Sequence, residues 1–385
     1  MNRAVNPEIP VVTKQGDDKP FTNAPGQSFT MPARFYHDPE IQALEKQNIF
    51  FKSWIYVGHQ SQISQPGEYL TATIHDQNIF VIRGKSGDIR AFYNVCIHRG
   101  HELLKGSGKT NIIVCPYHAW AYDFDGQLKA ARNSENVEGF NKCDFTLKSV
   151  QVEVFCGMVF INLDEDATSL KSQTGDLEQE IKTYCPDVDD LVFAQRDTYH
   201  VQSNWKVLCD NFLECYHCAP AHKDFVDLVD MDSYRTVTKG IYSTQVADAP
   251  RTTQSSAFTF KKGDVDFGYA GWFLWPNLSI WIYPGDTNLS VLQINPDGVE
   301  TSVEYQDWFL RTEQPTEQLQ DAMKYQKDVL QPEDIGLCES VQRGLRSNGY
   351  NQGRFIVDRG LTELSEHAVH HFQKQVMEAI GGELE

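Results

Sequence analysis

Two short cysteine–histidine pairs constrain the fold of this chain more than any other feature. The first pair is Cys96 and His98, and sixteen residues separate it from the second pair, Cys115 and His118. Each pair lies between segments with the alternation of short β-strands. Two thiolates suit one iron of a 2Fe–2S cluster, and two neutral imidazoles suit the other. The four residues therefore predict an iron–sulfur cluster held by two loops of a small β domain.

A zinc site with two cysteines and two histidines is the alternative. Zinc sites usually pair Cys with Cys and His with His at close spacing, often with the histidines on a helix. Here each pair is mixed and the flanking sequence reads as strand and loop. The pattern therefore favours the cluster. His101, in the first loop, has no partner at ligand spacing and is expected to pack or to form a hydrogen bond.

Length and patterning predict two main domains. The chain has 385 residues, more than one domain usually holds. Residues 1–30 are rich in Pro, Asn, Gly and Asp and predict a poorly ordered arm. An Asp-Pro signal in residues 31–50 predicts a helix that leads into the cluster domain. Residues 51–165 predict that all-β domain, and residues 166–385 predict a catalytic domain with an antiparallel sheet flanked by helices. The fold class is therefore α+β.

A second candidate metal site lies in the middle of the chain. Residues 204–217 read as one helix, on which Glu214 and His217 are three residues apart and share a face. His222 follows five residues after His217, which on a continuous helix would point it elsewhere. We expect Pro220 to end the helix, so that the next turn brings His222 back to the same metal.

A later predicted helix offers a third ligand. It carries three carboxylates, Glu333, Asp334 and Glu339. Only Asp334 shares a stripe with apolar residues, where a buried carboxylate is costly unless a cation meets it. With the two histidines it would form the two-histidine, one-carboxylate site of non-haem Fe(II), which leaves positions open for O2. The alternative is that Asp334 caps the first turn of its helix.

Charge and composition restrict the partners. The formal net charge is −19, so we expect neither nucleic acid nor an anionic membrane as partner, whereas a small cationic substrate fits. No run approaches the roughly 18 apolar residues of a membrane helix, and no signal-peptide pattern opens the chain, which predicts a cytoplasmic protein. Nine cysteines without a secretory signal favour thiols and metal ligands over disulfides.

The two sets of candidate ligands resemble the motifs of the Rieske-type non-haem iron oxygenases. The stretch 96–101, Cys-Ile-His-Arg-Gly-His, and the stretch 115–120, Cys-Pro-Tyr-His-Ala-Trp, are similar to the Rieske cluster signature, except that Ile97 replaces a common proline. Residues 204–222 are similar to the family's iron-binding motif, and its aspartate ligand falls in a segment similar to 332–342.

The resemblance implies cofactors and partners. It implies a Rieske 2Fe–2S cluster, a mononuclear Fe(II) with O2 as co-substrate, and a homotrimeric oxygenase. Since no Gly-rich nucleotide fingerprint appears in the chain, a separate flavin or ferredoxin-type reductase would bring electrons from NAD(P)H. A local basic excess around the first loop could receive an acidic reductase domain; it consists of Arg99, Lys105 and Lys109 against Glu102.

Glu214 marks a branch of the family. In most members an aspartate at this position bridges a Rieske histidine of one subunit to an iron ligand of its neighbour. The glutamate resembles the carnitine, glycine betaine and choline oxygenases, and implies that Glu214 is catalytic and faces His98 or His118 of the next subunit. The alternative is that Glu214 only orients an iron-binding histidine.

That branch implies a quaternary ammonium substrate. Residues 269–283 concentrate aromatic side chains, and an aromatic box holds such a cation with about 0.5–2 kcal/mol per favourable ring face. Strand alternation prevents Trp272 and Trp275 from sharing a face, so some of these aromatics are core residues. The alternatives are a Rieske oxygenase for an aromatic substrate and a Rieske-type electron-transfer protein. The candidate substrate residues are Trp272, Trp275, Trp281, Tyr283 and Asn211.

Overall fold

The computed structural model describes residues 16–248, 253–263, 265 and 268–382. These residues form two compact units. The β unit comprises Phe50–Gln179 and Asp187–Phe193, and the mixed unit lies within Met1–Ile49, Glu180–Pro186 and Ala194–Glu385. The predicted start of the cluster domain, residue 51, lies next to the first residue of the β unit. Its predicted end, residue 165, lies before Gln179, because the β unit also contains the helical segment that follows its last strand.

The β unit is built from antiparallel strands. Its larger sheet has the strand order β1-β10-β9-β4-β3-β2-β5, and a small sheet has the order β6-β7-β8. The strands are β1 Ile55–His59, β2 Glu68–Ile74, β3 Gln77–Arg83, β4 Ile89–Tyr93, β5 Ser107–Lys109, β6 Ile113–Val114, β7 Ala121–Tyr122, β8 Leu128–Ala130, β9 Ser149–Phe155 and β10 Met158–Asn162. Helix α2 Leu170–Gln173 follows, and helix α3 Leu177–Tyr184 begins in the β unit, whereas its residues from Glu180 belong to the mixed unit.

Strands β9 and β10 form a hairpin that the sequence pattern does not separate. Phe155 pairs with Met158 across a two-residue turn, and both turn residues, Cys156 and Gly157, have positive φ, +50° and +74°. Positive φ at both central positions is typical of the turns that match strand twist. Because cysteine is unusual in such a turn, residues 150–162 read in the sequence as one continuous run.

The mixed unit contains a seven-stranded antiparallel sheet with the order β11-β17-β16-β15-β14-β13-β12. Helix α4 contacts both strand β16 and helix α8, as the predicted α+β class requires. The strands are β11 Val192–Val201, β12 Arg235–Lys239, β13 Tyr242–Ala247, β14 Tyr269–Leu274, β15 Leu278–Ile282, β16 Asn288–Pro296 and β17 Ser302–Leu310. The helices are α1 Pro39–Glu45, α4 Trp205–Phe212, α5 Cys218–Ala221, α6 Lys223–Leu228, α7 Glu317–Tyr325, α8 Gln331–Leu345 and α9 His367–Ala379.

The predicted single helix over residues 204–217 is wrong. Helix α4 begins after its N-cap Asn204 and ends at Phe212, so Glu214 and His217 lie beyond it. Pro220 does not end a helix but lies within the first turn of α5, where proline is tolerated because no intrahelical donor is needed there. The chain turns between Leu213 and His217, and that turn carries the candidate site residues.

The described part of the N-terminal arm has defined contacts in the mixed unit. The ring of Phe21 is 4% exposed and stacks on His370 with 5.0 Å between the ring centroids. Arg354 donates hydrogen bonds to the carbonyl oxygens of Gly26 and Ser28, each at 2.5 Å. Residues 16–30 therefore differ from the predicted poorly ordered arm, since one buried aromatic anchors them, and residues 1–15 lie outside the described residues.

Helix α1 is tied to helix α4 by a buried ion pair. Asp38 caps α1 by accepting the Glu40 N–H at 2.8 Å, as the Asp-Pro signal predicts. At the end of α1, Glu45 lies 2.5 Å from the Lys206 ammonium, and the two side chains are 1% and 0% exposed. Glu45 also accepts the indole N–H of Trp205 at 2.9 Å.

Within the described residues, each helix is too short or too polar to cross a bilayer.

Candidate metal centres and substrate cavity

Two similar loops of the β unit carry the four candidate cluster ligands. The first follows strand β4 and the second joins β6 to β7. In the first loop the Gly100 N–H returns to the Cys96 carbonyl at 2.9 Å, and in the second the Ala119 N–H returns to the Cys115 carbonyl at 3.0 Å. Gly100 and Ala119 both adopt positive φ, +71° and +58°. Each loop therefore closes four residues after its cysteine.

The donors in these loops fit a 2Fe–2S cluster of the Rieske type. Both cysteines are free thiols and 2% exposed, within the core of the β unit. His98 is exposed, its ring lies 4.7 Å from the ring of His118, and it stacks on Trp120 at 4.6 Å. Buried thiolates and outer imidazoles provide the soft and the neutral donors that the two irons need.

Tyr122 is a residue that the sequence reasoning missed. Its hydroxyl oxygen lies 3.3 Å from the Cys96 sulfur and accepts the Ile97 N–H at 3.2 Å. Burial, together with the hydrogen bond to Cys96, raises the pKa of Tyr122 above its usual range, so the hydroxyl keeps its proton. Since the oxygen already accepts one hydrogen bond, its O–H can donate to the sulfur. The sequence signal that could have identified Tyr122 is its position in the strand that follows the second loop.

Three residues of the mixed unit converge in the way the sequence predicts. The Nε2 atoms of His217 and His222 lie 3.1 Å apart. Asp334 Oδ1 lies 2.9 Å from Nε2 of His222 and 3.5 Å from Nε2 of His217. One ligand atom from each residue lies within 4.8 Å of the others. The group has the two imidazoles and one carboxylate that suit non-haem Fe(II).

Two further carboxylates hold the other edges of the imidazole rings. Glu214 Oε1 lies 2.5 Å from His217 Nδ1, and Glu333 Oε2 lies 2.8 Å from His222 Nδ1. A donated Nδ1–H leaves the Nε2 lone pair free for a metal. Glu339 has no part in the group, since it accepts the Gln202 N–H at 3.0 Å. The sequence reasoning did not assign this contact to Glu333.

The electrostatics of the group favour a cation. Burial alone would lower the pKa of His217, but its hydrogen bonds to Asp334 and Glu214 raise the pKa to about 10. Burial likewise opposes ionisation of Asp334, but its hydrogen bonds to His217 and His222 lower the pKa to about 2. The carboxylates therefore stabilise positive charge at this position. A divalent metal ion would supply that charge with neutral imidazoles as ligands.

A cavity adjoins the converging residues, and six of the described side chains that line it are aromatic. Of the candidate substrate residues, Trp281, Tyr283 and Asn211 line it, and the Asn211 amide nitrogen lies 3.4 Å from His217 Nε2. Four lining aromatics were not among the candidate substrate residues, although one of them opens the aromatic segment 269–283 and another directly follows Asn211. They are Phe212, Phe225, Tyr234 and Tyr269.

The structure does not place Trp272 or Trp275 in this cavity. In the sheet, Gly271 pairs with Trp281 and Trp272 pairs with Ile280, so Trp272 points to the opposite face. There its indole N–H donates to Glu180 at 3.2 Å. Trp275 packs on Phe372 with 5.8 Å between the ring centroids. Strand alternation excludes Trp272 from the cavity, and Trp275, which follows the last residue of strand β14, packs on Phe372 instead, so the structure contradicts both predictions.

A disulfide lies in the turn that carries the site residues. Cys215 and Cys218 are bonded, and they flank His217. This pair differs from the expectation of thiols, which the other seven cysteines satisfy. Two cysteines three residues apart in a turn can pair without a larger disulfide framework, which is why the count of cysteines did not reveal the bond.

Comparison with known proteins covers both units. Residues 53–141 match the Rieske 2Fe-2S domain family, and residues 188–382 match the family described as ring hydroxylating alpha subunit (catalytic domain). The carnitine monooxygenase oxygenase subunit of Acinetobacter pittii (strain PHEA-2) is 40% identical over 358 residues, which cover 92% of this chain and 96% of the relative. That of Escherichia coli (strain K12) is 42% identical over 354 residues, which cover 91% and 94%.

A solved structure agrees over nearly the whole chain. The crystal structure of a quaternary ammonium Rieske monooxygenase in complex with its substrate L-carnitine superposes with a TM-score of 0.85 at 38% identity. The match covers 96% of this chain and 99% of that one. The chain therefore belongs to the Rieske non-haem iron oxygenases, as an alpha (oxygenase) subunit whose cofactors are a Rieske 2Fe–2S cluster and a mononuclear iron.

Proposed function

We propose that this chain is the oxygenase component of a two-component monooxygenase that hydroxylates a quaternary ammonium compound such as carnitine or glycine betaine. The observation that carries the proposal is an aromatic cavity beside His217, His222 and Asp334 in which no lysine or arginine is among the lining residues the structure describes. Such a cavity suits a cation with an apolar surface. The carnitine monooxygenases that are about 40% identical support the same substrate class.

We assign the metal ligands on the donor sets described above. Cys96, His98, Cys115 and His118 would hold the cluster, and His217, His222 and Asp334 would hold the mononuclear iron. When bound, these groups supply one-electron transfer and the activation of O2. Within the chain, Glu214 and Glu333 fix the ring orientations and the Nδ1 protons of the two histidines, so that both Nε2 atoms remain acceptors.

The cavity residues would bind and orient the substrate. The faces of Tyr269, Trp281 and Tyr283 can each attract the trimethylammonium group by about 0.5–2 kcal/mol. Asn211, whose amide lies 3.4 Å from His217 Nε2, places a polar group beside the reacting carbon. The apolar rings also exclude water from that carbon.

The proposed reaction inserts one oxygen atom into a C–H bond next to the ammonium nitrogen. One O2, two electrons and two protons convert the C–H group to C–OH and release one water. Collapse of the carbinol breaks its C–N bond, releases the hydroxyl proton and gives an aldehyde and a neutral tertiary amine. If the hydroxylated carbon is an N-methyl group, the aldehyde is formaldehyde. A separate reductase supplies the electrons from NAD(P)H.

We also propose a homotrimer in which Glu214 links two subunits. Its Oε1 holds His217 Nδ1 at 2.5 Å, which supports a role next to the iron, and the family resemblance supports a bridge to His98 or His118 of the neighbouring subunit. The variant Glu214→Gln distinguishes the bridge from a purely orienting role. Loss of turnover with both metals retained supports the bridge, whereas loss of mononuclear iron indicates orientation alone.

The cytoplasmic location stays a prediction.

The substrate class can be tested without the native reductase. We would reduce the cluster chemically, remove the reductant, and admit O2 with carnitine, glycine betaine, choline or proline betaine in a single turnover. We expect at least one compound to give trimethylamine or formaldehyde in proportion to the cluster oxidised, and His217→Ala to give neither. If the holoenzyme converts none of these but hydroxylates an aromatic hydrocarbon, the quaternary ammonium assignment is wrong. If His217→Ala binds as much iron as the wild type, the chain is better explained as an electron carrier.

A further inference from the structure

One acid that lines the cavity has no assigned role. Glu304 lies on strand β17 and its side chain is 1% exposed. Gln331 donates a hydrogen bond to its Oε2 at 2.7 Å. Among the described residues, no Lys, Arg or His forms an ion pair with it. Glu304 is thus a buried carboxyl group that faces the cavity with a single neutral partner.

The other acids of the cavity are already engaged. Among the residues that the structure describes, three carboxylates line it, Glu214, Glu304 and Asp334. Glu214 binds His217, and Asp334 lies against both histidines. Of these described carboxylates, Glu304 is therefore the one left to meet a charge from a ligand.

Two other buried acids of the mixed unit each pair with a cation, whereas Glu304 has no such partner among the described residues. Glu45 pairs with Lys206 at 2.5 Å, and Asp307, on the same strand as Glu304, accepts both arms of the Arg196 guanidinium at 2.6 Å. A buried carboxylate without such a cation is strongly disfavoured. Accordingly, burial and the nearby Asp334 charge raise the pKa of Glu304 to about 8.

A chain of neutral side chains holds Glu304 in position. Tyr283 donates to Gln326 at 2.5 Å, the Gln326 amide lies 3.5 Å from the Gln331 oxygen, and Gln331 donates to Glu304. Tyr283, Gln326 and Gln331 all line the cavity, and none of these three side chains carries a charge. These hydrogen bonds orient the carboxyl group but supply no cation, so a positively charged ligand would favour its ionised form.

We propose that Glu304 is the specificity residue that pairs with the positive charge of the substrate. The inference rests on the proposed function, because it names the charge that a quaternary ammonium compound would meet. A quaternary nitrogen offers no N–H donor, so the pairing is a contact between charges rather than a hydrogen bond. The ammonium group would supply the cation that the protein itself does not provide to Glu304. Cavity selectivity would then depend on this acid as well as on the aromatic faces.

The test compares two ligands of nearly equal shape. One is γ-butyrobetaine, and the other is its carbon isostere, in which a quaternary carbon replaces the nitrogen and removes the positive charge. Binding to the holoenzyme is measured by calorimetry, for the wild type, Glu304→Gln and Glu304→Asp. Glu313→Gln is the matched control, since Glu313 is exposed and outside the cavity and its replacement removes the same charge. Iron and cluster contents are measured for every variant.

We expect the wild type and Glu313→Gln to prefer the cation over the isostere. In Glu304→Gln the cation should bind at least about tenfold more weakly, while binding of the isostere is unchanged or tighter, and the KM should rise more than kcat falls. Glu304→Asp, which keeps the charge, should retain part of the preference. If all four proteins show the same preference for the cation with full metal contents, the inference is overturned and the proposed function stands. If the wild type binds no trimethylammonium compound, the proposed function fails and the inference fails with it.

Discussion

The ring of His222 is held between two consecutive carboxylates of helix α8. Glu333 Oε2 lies 2.8 Å from its Nδ1, and Asp334 Oδ1 lies 2.9 Å from its Nε2. The His222 ring is 3% exposed, whereas the Glu333 side chain is 40% exposed. Adjacent residues of one helical turn thus take different roles, Asp334 as a candidate metal ligand and Glu333 as the partner of a ligand.

Removal of Glu333 should weaken the iron site without destroying it. In Glu333→Ala the His222 ring loses the acceptor that fixes its orientation, and we expect the affinity for iron to fall about 10- to 100-fold. Glu333→Gln keeps a neutral acceptor and should recover part of the loss. The affinity is measured by competition with an iron chelator. Glu339→Ala is the control, because Glu339 lies on the same helix and contacts Gln202 instead; an equal loss in both alanine variants would contradict the role given to Glu333.

The candidate ligands could be predicted from the sequence, because ligand chemistry depends on residue type and on spacing. The mixed pair of Cys96 and His98 indicates cluster ligands, and the apolar stripe around Asp334 indicates a carboxylate that needs a cation. The orienting residues could not be predicted in this way. Glu333 and Glu339 are alike in sequence, and only the direction of helix α8 brings one of them to His222. Tyr122 depends on a strand register that the short run of β7 does not specify.

The α+β class was likewise predictable from the sequence. The sheet face on which a given side chain lies and the residue at which a helix ends were not. The aromatic cluster in residues 269–283 was visible, but Trp272 faces away from the cavity because its neighbour Gly271 pairs with Trp281. A one-residue change of register would reverse that assignment. The helix predicted over 204–217 ends early at Phe212, because local helix preferences are weak and do not fix where a helix ends.

Tyr122 should raise the reduction potential of the cluster. A hydrogen bond to a ligand sulfur stabilises the reduced state, because it offsets the added electron. We therefore expect Tyr122→Phe to lower the potential, as measured in a redox titration followed by the cluster absorbance. Tyr117→Phe is the control, since Tyr117 is 54% exposed and has no sulfur contact among the described residues. An unchanged potential in Tyr122→Phe would show that the hydroxyl does not donate to Cys96.

The buried pair of Glu45 and Lys206 should be costly to break. Lys206→Met leaves Glu45 buried without its cation, and we expect a loss of about 3–5 kcal/mol in stability. The double variant with Glu45→Leu should recover much of that loss, because neither charge then remains. Stability is compared by thermal unfolding at matched metal content. The partly exposed pair of Lys374 and Glu378, whose side chains lie 3.6 Å apart, is the control, and Lys374→Met should cost less than about 1 kcal/mol.

Asp210 should make the stability of the mixed unit depend on pH. It accepts hydrogen bonds from Tyr36 at 2.7 Å and from Gln373 at 2.9 Å. Burial nevertheless raises its pKa to about 7, above the usual range of an aspartate, although these hydrogen bonds and Lys206 lower the pKa in part.

An acid whose pKa is higher in the folded state destabilises the fold once it ionises. The cost begins above the unfolded pKa and grows until the pH passes about 7. Asp210→Asn keeps an acceptor oxygen but does not titrate. Its stability relative to the wild type should therefore rise between about pH 4 and 7 and stay level above that range. Thermal midpoints of both proteins across this pH range measure the difference. If the two curves run parallel, Asp210 is ionised in the folded protein throughout, and Lys206 rather than a retained proton compensates its charge.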